Sequence, residues 1–200
     1  MMHPYSSRDA GRWIVPMVLG GLSVALAYGT GNLVSRINAN LWWFDVPSVL
    51  GYYALARGAF DHWGWRLRGL RWLGVRTPDL AGTWIVSLRS SYDGHSDEYT
   101  GEAQITQTWS RMHIRLQTAE SVSHSVAASM AESDAGTVLY YHYRNEPHSG
   151  ATESMEAHAG AVELCLSGDG KSLEGGYFSG RGRVNHGRMR LVRKATEAKE

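Results

Sequence analysis

RMHIRLQ, residues 111–117, alternates polar and apolar side chains along its length. Met112, Ile114 and Leu116 would lie on one face of an extended strand, and the polar residues between them on the other. A period of two is typical of a strand with one face in a core and the other in water. The stretch therefore predicts β-sheet for this part of the chain.

The same alternation recurs on both sides of this stretch. Turn signals separate the repeats, among them Tyr92-Asp93-Gly94 and the segment SGDGK at 167–171. Residues 119–133 are rich in Ser and Ala and are compatible with a strand, a loop or a short helix. Seven or eight short antiparallel strands of this kind predict a small barrel or sandwich. Beyond residues 111–117, strands are predicted near residues 84–89, 102–109, 139–144, 162–166, 173–179 and 183–193.

The first eighty residues follow a different pattern. WIVPMVLGGLSVALAYGTGNLVS, residues 13–35, contains no charge, and a helix rising about 1.5 Å per residue needs about 20 residues to cross a hydrocarbon core. A second apolar run, 41–60, begins with two tryptophans, which favour the headgroup level. A short link joins the runs, and Pro78 disfavours helix at the residue before it. These features predict a two-helix transmembrane hairpin in residues 1–76 and a β domain in residues 77–200.

Charge is distributed unevenly between the two parts. Residues 1–78 carry eight Arg and no Lys against three Asp, for a net charge of +5, and residues 79–200 carry twelve Lys and Arg against sixteen Asp and Glu, for −4. Because the basic part is also the apolar part, a lipid bilayer is favoured as its partner over a nucleic acid polymer. Only Arg36 lies between the two runs, so the positive-inside rule predicts a multi-pass protein with both termini in the cytoplasm.

Two alternatives remain for the apolar runs. The first run could be a secretory signal with a small-residue cleavage site at Ala25-Leu26-Ala27, although the apolar sequence continues past it and a second run follows. The two runs could also form a buried hairpin of a soluble protein. The stretch FDHWGWRLRGLRWLG, residues 60–74, is not cleanly amphipathic, and its indoles and arginines predict a juxtamembrane seam at the lipid headgroups.

No catalytic or metal site is predicted. The nine histidines match no compact ligand spacing, and Cys165 has no cysteine partner for a disulfide or a zinc site. The chain lacks G-x-S-x-G, H-E-x-x-H and Walker sequences. We therefore expect a protein that is not an enzyme and has no cofactor.

Several predicted strands combine aromatic rings with amide and guanidinium groups. Their aromatic residues could simply fill a barrel core, because such rings are common in protein interiors. They could also form a nucleobase pocket, since aromatic faces stack bases while Arg, Gln, Asn and Ser bind phosphates and base edges. A cavity in a small barrel suits a compact ligand better than a polymer.

The order of several short motifs after two apolar runs resembles the two-transmembrane, β-strand-rich effectors of bacterial CBASS antiphage systems. The resemblance covers nearly the whole chain. It implies a cytoplasmic antiparallel β-barrel of about eight strands that senses a cyclic dinucleotide made by a cGAS/DncV-like nucleotidyltransferase. It also implies a homo-oligomer that disrupts the bacterial inner membrane, so that abortive infection limits the phage. The motifs are PDLAGTW at 78–84, SSY at 90–92, QTW at 107–109, YHYRNEP at 141–147 and LEGGYF at 173–178, with Arg181.

For such a ligand, residue types suggest the binding roles. Because residues 79–200 are net negative, the two phosphates require a local cationic cluster. Stacking faces are predicted from Tyr92, Trp109, Tyr141 and Tyr143, phosphate contacts from Arg144 and Arg181, and contacts to polar edges from Ser91, Gln107 and Asn145.

Other function classes compete with this hypothesis. A membrane-tethered, lipocalin-like barrel would bind a lipid or other apolar molecule, but its strands should then be apolar throughout. An enzyme acting at the membrane surface is disfavoured because the motifs for it are missing. A purely structural anchor would not need so many aromatic residues in the strands.

Overall fold

The computed structural model describes residues 1–7, 9–37, 48–134, 136–150, 156–180 and 184–195. The chain divides into two compact units, one formed by Met1–Arg8 with Pro78–Glu200 and the other by Asp9–Thr77. The first residues of the chain thus belong with the β unit, whereas the sequence interpretation assigned all of residues 1–76 to a membrane unit. The reason is a short N-terminal strand that pairs within the sheet.

The β unit is mostly sheet, as predicted. Its strands pair in the order β1-β4-β3-β2-β9-β8-β7-β6-β5, and the pairing of β5 with β1 closes the described sheet into a barrel, with an additional β4–β5 pairing. The undecided stretch 119–133 is largely a strand. The nine strands of the described residues are β1 (His3–Ser7), β2 (Gly82–Ser90), β3 (Tyr99–Gln107), β4 (Arg111–Thr118), β5 (Ser121–Ser133), β6 (Gly136–Pro147), β7 (His158–Leu166), β8 (Ser172–Ser179) and β9 (His186–Arg193).

Alternation along the strands builds the core of the β unit. Met112, Ile114 and Leu116 of β4 are all buried, and the polar residues between them face away from the core. Inward-facing residues of the neighbouring strands join them in one apolar cluster. The hydrophobic pattern therefore sets the register, because a slip of one residue would turn each strand's apolar side outward.

β1 fills a gap between β4 and β5. These two strands pair over only three positions, 115–117 with 122–124, and β5 has a register irregularity after Ser125. Past that point the Ser125 Oγ accepts a hydrogen bond from the Ile114 N–H, at 2.9 Å. β1 then pairs antiparallel with β4 through His3 and parallel with β5 through Tyr5, whose ring is buried. The N-terminal strand thus supplies the pairing that β4 and β5 do not give each other.

One end of the barrel is closed by packed side chains. Trp84 is fully buried, and its indole N–H donates to the Leu80 carbonyl at 2.9 Å. The Arg193 guanidinium lies 4.6 Å from the centre of the Trp84 ring and donates to the carbonyls of Asp79 and Ala81. This end is filled, so any ligand site inside the barrel must lie toward the other end.

The other unit contains helices α1 (Gly11–Ile37) and α2 (Val49–His62). Within the described residues, α1 is the one helix long and apolar enough to cross a membrane, as judged by length and composition. The Tyr52 hydroxyl of α2 donates to Thr30 of α1 at 3.2 Å. α2 has 14 residues, about 21 Å of helix, against a hydrocarbon core of about 30 Å. The second span, predicted for 41–60, is not shown by these helices, and its first residues, 41–47, lie outside the described part of the chain.

The juxtamembrane seam predicted for residues 60–74 forms two short 3₁₀ helices, Gly64–Arg66 and Arg68–Leu73. Trp65 and Leu73 are buried in this segment. Trp63 and Trp72 are 70% and 78% exposed. The segment therefore keeps some of its large apolar side chains on its surface.

Candidate functional site

A cavity of about 480 Å³ lies at the end of the barrel opposite Trp84. Its volume falls in the range of about 300–1,000 Å³ that small-molecule sites occupy. The lining comes from eight strands, β2 to β9, and the loops that join them, so the closed sheet itself places the side chains. The lining residues are Leu88, Ser90, Tyr92, Glu98, Tyr99, Thr100, Leu116, Thr118, Ala119, Glu120, Ser121, Ser123, Tyr141, Tyr143, Asn145, His158, Val162, Tyr177, Ser179, Asn185 and Met189.

β6 contributes the central residues of the cavity. Tyr141, Tyr143 and Asn145 point inward because alternate residues of a strand share one face. All three are at most 8% exposed. The Tyr141 hydroxyl lies 3.9 Å from the Met189 Sδ, and burial raises the pKa of this phenol well above its ordinary value of 10.0, with a smaller effect from Tyr143. Tyr141 is therefore a neutral part of the cavity floor.

Tyr143 lies across the wall formed by β7 and β8. Its hydroxyl is 3.4 Å from the Ser179 Oγ, and its ring meets the His158 imidazole edge-on at 6.2 Å between centroids. The absence of a side chain at Gly160 makes this position possible, because a Cβ there would overlap the Tyr143 ring and the Phe178 carbonyl oxygen. The aromatic face of Tyr143 is thus fixed by its neighbours before any ligand arrives.

The loop between β2 and β3 borders the mouth of the cavity. The Asp93 carboxylate accepts hydrogen bonds from the N–H groups of His95 and Asp97, at 3.1 and 3.0 Å, and also interacts with the Tyr99 hydroxyl. Desolvation opposes ionisation of Asp93, but these hydrogen bonds outweigh it and lower the pKa of the carboxyl. Desolvation, followed by the charge of Asp93, raises the pKa of the Tyr99 phenol. The mouth therefore presents a neutral phenol beside a carboxylate.

The described lining combines a largely apolar surface with many hydroxyl and amide groups, and it has little positive charge. Hydroxyl and amide groups can donate to phosphate oxygens and to base edges, and tyrosine rings can stack bases. Glu98 and Glu120 are its carboxylates, and the described lining contains no Lys or Arg. The Arg89 guanidinium, on the outer face, lies 3.6 Å from the Glu98 carboxylate. The lining also contains five aliphatic or thioether side chains, those of Leu88, Leu116, Ala119, Val162 and Met189.

The structure brings four of the predicted site residues together, Tyr92, Tyr141, Tyr143 and Asn145. The Tyr92 side chain is 62% exposed at the mouth. Ser91 lies between two lining residues, but it is not part of the lining itself. Its Oγ accepts a hydrogen bond from the His186 N–H at 3.0 Å.

Three predicted site residues lie away from the cavity. Gln107 is at the closed end, where its carbonyl oxygen accepts from the Leu80 N–H at 2.8 Å. Trp109 follows β3 at the same end and is 1% exposed. Arg144 faces outward because it alternates with the inward Tyr143 and Asn145. The residue types suggested ligand binding for all three. Whether a residue reaches the cavity depends instead on the end of the barrel at which it stands and on whether its side chain points inward. Arg181 lies outside the described residues.

Sequence reasoning did not select several lining residues. Ser121 and Ser123 begin the strand that was left undecided, and Ser179 and Tyr177 end β8. His158 had been weighed only as a metal ligand. Within the described residues, no group of three His, Cys, Asp or Glu could hold a metal ion. Their position along the strands could have identified them, because all of these residues stand near strand ends that meet at the same end of the barrel.

The family model described as Cap15, cyclic dinucleotide receptor domain, matches residues 75–193. The chain belongs to the Cap15 family. It is also 39% identical over 164 residues to CD-NTase-associated protein 15 of Yersinia aleksiciae, a match that covers 81% of this chain and 76% of that protein. The resemblance to CBASS effectors is thereby confirmed at the level of the family. The range matched to Cap15 contains β2 to β9 and all of the described residues that line the cavity.

Proposed function

We propose that this chain is a CBASS effector whose barrel cavity binds a cyclic dinucleotide made by a cGAS/DncV-like nucleotidyltransferase. The cavity carries the proposal, because it combines fixed aromatic faces with hydroxyl and amide groups in a volume of about 480 Å³. The description of the matched domain as a cyclic dinucleotide receptor supports it. A purely apolar ligand would not use the hydroxyl and amide groups of this lining.

The proposal extends to the membrane. The bound barrels assemble into a homo-oligomer, and the N-terminal helices then disrupt the bacterial inner membrane and cause abortive infection. Support comes from α1, whose large apolar side chains are mostly exposed, with Trp13 at 77% and Tyr28 at 74%. Such a surface needs an apolar medium to cover it. In this proposal the chain is multi-pass with both termini in the cytoplasm, where the barrel meets its ligand.

Assembly can be driven by ligand only through a difference in affinity between assembled and free barrels. A hundredfold difference supplies about 2.7 kcal/mol per protomer. Repeated over the copies of an oligomer, that energy makes a sharp switch. The measurement is the size distribution of the protein in nanodiscs before and after addition of the ligand.

The first test is thermal unfolding of the full chain in detergent with a panel of cyclic di-AMP, cyclic di-GMP and cyclic UMP–AMP, and with fatty acids in parallel. The full chain is needed because a fragment beginning at residue 78 lacks β1. A melting temperature that rises with the concentration of one cyclic dinucleotide supports the sensor. A rise with fatty acid alone supports the lipocalin-like alternative and contradicts the proposal.

Matched variants on β6 locate the site. Asn145→Ala removes an inward amide of the cavity and is expected to weaken binding of the active cyclic dinucleotide, by about tenfold for one lost hydrogen bond. His142→Ala removes an outward side chain of the same strand and is expected to leave binding unchanged. Arg144→Ala also faces outward, so it too should bind as the unmodified chain does. Equal losses in all three variants would contradict a site inside the barrel.

A further inference from the structure

His158 lines the cavity at the start of β7, opposite Asn145 of β6. Its Nδ1 lies 2.9 Å from the Glu156 carbonyl oxygen. A carbonyl oxygen only accepts hydrogen bonds, so Nδ1 carries the hydrogen and donates it. The second ring nitrogen, Nε2, therefore holds the lone pair of the neutral imidazole and is the atom that a proton would join.

The ring is held in place from a second direction. The edge-on contact with Tyr143 has an interplanar angle of 81°. Tyr143 is itself positioned by Ser179 and by the missing side chain of Gly160. His158 is thus a half-buried imidazole whose Nδ1 donates to the Glu156 carbonyl. Its orientation is fixed by that hydrogen bond and by the Tyr143 ring.

Among the described lining residues, the side chains that carry a charge are the carboxylates of Glu98 and Glu120. A cyclic dinucleotide carries two phosphodiester anions, whereas the described cavity lining has Glu98 and Glu120 but no Lys or Arg. The titratable phenols of the described lining are Tyr143 on β6, whose ring contacts His158, Tyr177 on β8, Tyr141 on the floor, and Tyr92 and Tyr99 at the mouth. A phenol has no cationic form to offer an anion. Among the described lining residues, His158 is the one histidine, and histidine is the residue type that serves as a cation or a neutral ring in binding sites.

We propose that His158 binds a phosphate of the cyclic dinucleotide as an imidazolium, so that capture of the ligand takes up one proton. Nε2 accepts a proton from solvent and donates it in a hydrogen bond to a phosphate oxygen, while no bond in the ligand breaks. The anion favours the charged ring, and by linkage a lower pH favours the bound ligand. This inference rests on the proposed function and adds a charge-matching residue to the cavity.

The test is calorimetry of the full chain in detergent with the cyclic dinucleotide that stabilises it, at pH 7.5, in buffers of different ionisation enthalpy. The dependence of the observed heat on that enthalpy gives the number of protons taken up. We expect a measurable fractional uptake for the unmodified chain and an uptake close to zero for His158→Gln. The variant should bind about tenfold more weakly at pH 6.5, with a smaller difference at pH 8.5, because a charge-assisted hydrogen bond is lost.

The matched control is His142→Gln, an outward histidine on the neighbouring strand, which should keep the proton uptake. His158→Asn serves as a second variant, and thermal unfolding of each without ligand verifies folding. Binding without proton uptake, or uptake that persists in both His158 variants, overturns the inference while leaving the cavity as the receptor site. Absence of binding by any cyclic dinucleotide in the panel overturns the proposed function instead.

Discussion

Gly160 shows how a single position can shape the cavity. Its missing side chain leaves room for the Tyr143 ring on the inner wall. Gly160→Ala should therefore lower the melting temperature, because overpacking of a core costs about 1–3 kcal/mol, and it should weaken ligand binding by displacing Tyr143. Thermal unfolding with and without the cyclic dinucleotide measures both effects. Gly176→Ala on β8 is the control, since its Cβ would be 3.5 Å from the nearest atom, an ordinary contact.

The buried Tyr141 phenol should make the stability of the folded chain fall at high pH. Burial raises the pKa of its phenol, so the folded chain holds the phenolic proton more tightly than the unfolded chain does. The stabilisation is fully present below the ordinary pKa of about 10 and is lost as the pH rises above it, with a slope of up to about 1.4 kcal/mol per pH unit.

Melting curves between pH 8 and 11 test this dependence. Tyr141→Phe should flatten the loss of stability at high pH relative to the unmodified chain. Tyr140→Phe changes the neighbouring ring, which is 39% exposed, and should leave the slope as it is. If the melting temperatures of the unmodified chain and of Tyr141→Phe fall equally as the pH rises, the buried phenol is not the cause of the loss of stability at high pH.

At the scale of elements, β1 is the part of the chain most easily overlooked. It consists of five residues, yet it supplies pairing to both β4 and β5 at the place where those strands separate. β4 and β5 also meet at the turn Thr118–Ser121, which lines the cavity. Closure of the barrel at the end away from the cavity thus depends on a strand located seventy-five residues or more before the rest of the sheet.

Tyr5→Ala is expected to destabilise the barrel strongly. Tyr5 is 5% exposed, and its hydroxyl accepts a hydrogen bond from the Gln107 amide at 3.2 Å. Loss of a buried aromatic ring costs about 3–5 kcal/mol, so the melting temperature should fall by several degrees. Ser6→Ala, on the exposed side of the same strand, should melt like the unmodified chain. If the two variants melt alike, β1 does not contribute to barrel stability.

At the scale of the whole molecule, the two parts of the chain differ in the sign of their net charge. The net charge of −4 on residues 79–200 gives an anionic ligand no general attraction, so affinity must come from local contacts in the cavity. The excess of arginine in residues 1–78 instead suits a surface that carries anionic lipids.

Association with the membrane has a direct test. Bacterial membranes that contain the full chain are washed with alkaline carbonate and then with 1 M salt, and the protein is expected to stay in the pellet, because α1 is long and apolar enough to cross the bilayer. Arg66→Ala and Trp72→Ala, which change only the juxtamembrane seam, should not release it. Appearance of the unmodified chain in the supernatant would contradict a spanning helix.

The sequence by itself determined the mostly β fold, the apolar N-terminal helix and the family. These follow from local signals, because alternation, charge-free length and the order of short motifs are all read along the chain. Tyr141, Tyr143 and Asn145 could be selected in the same way, since they share the inward face of one strand.

The tertiary structure alone decided which residues reach the cavity. Gln107 and Trp109 have the right chemistry but stand at the closed end, and Arg144 stands on the outer face. Strand pairing brings Ser123, His158 and Ser179 together from distant parts of the sequence, and it inserts β1 between β4 and β5. Such placements depend on register and closure, which are properties of the paired strands together and are not encoded in any single stretch.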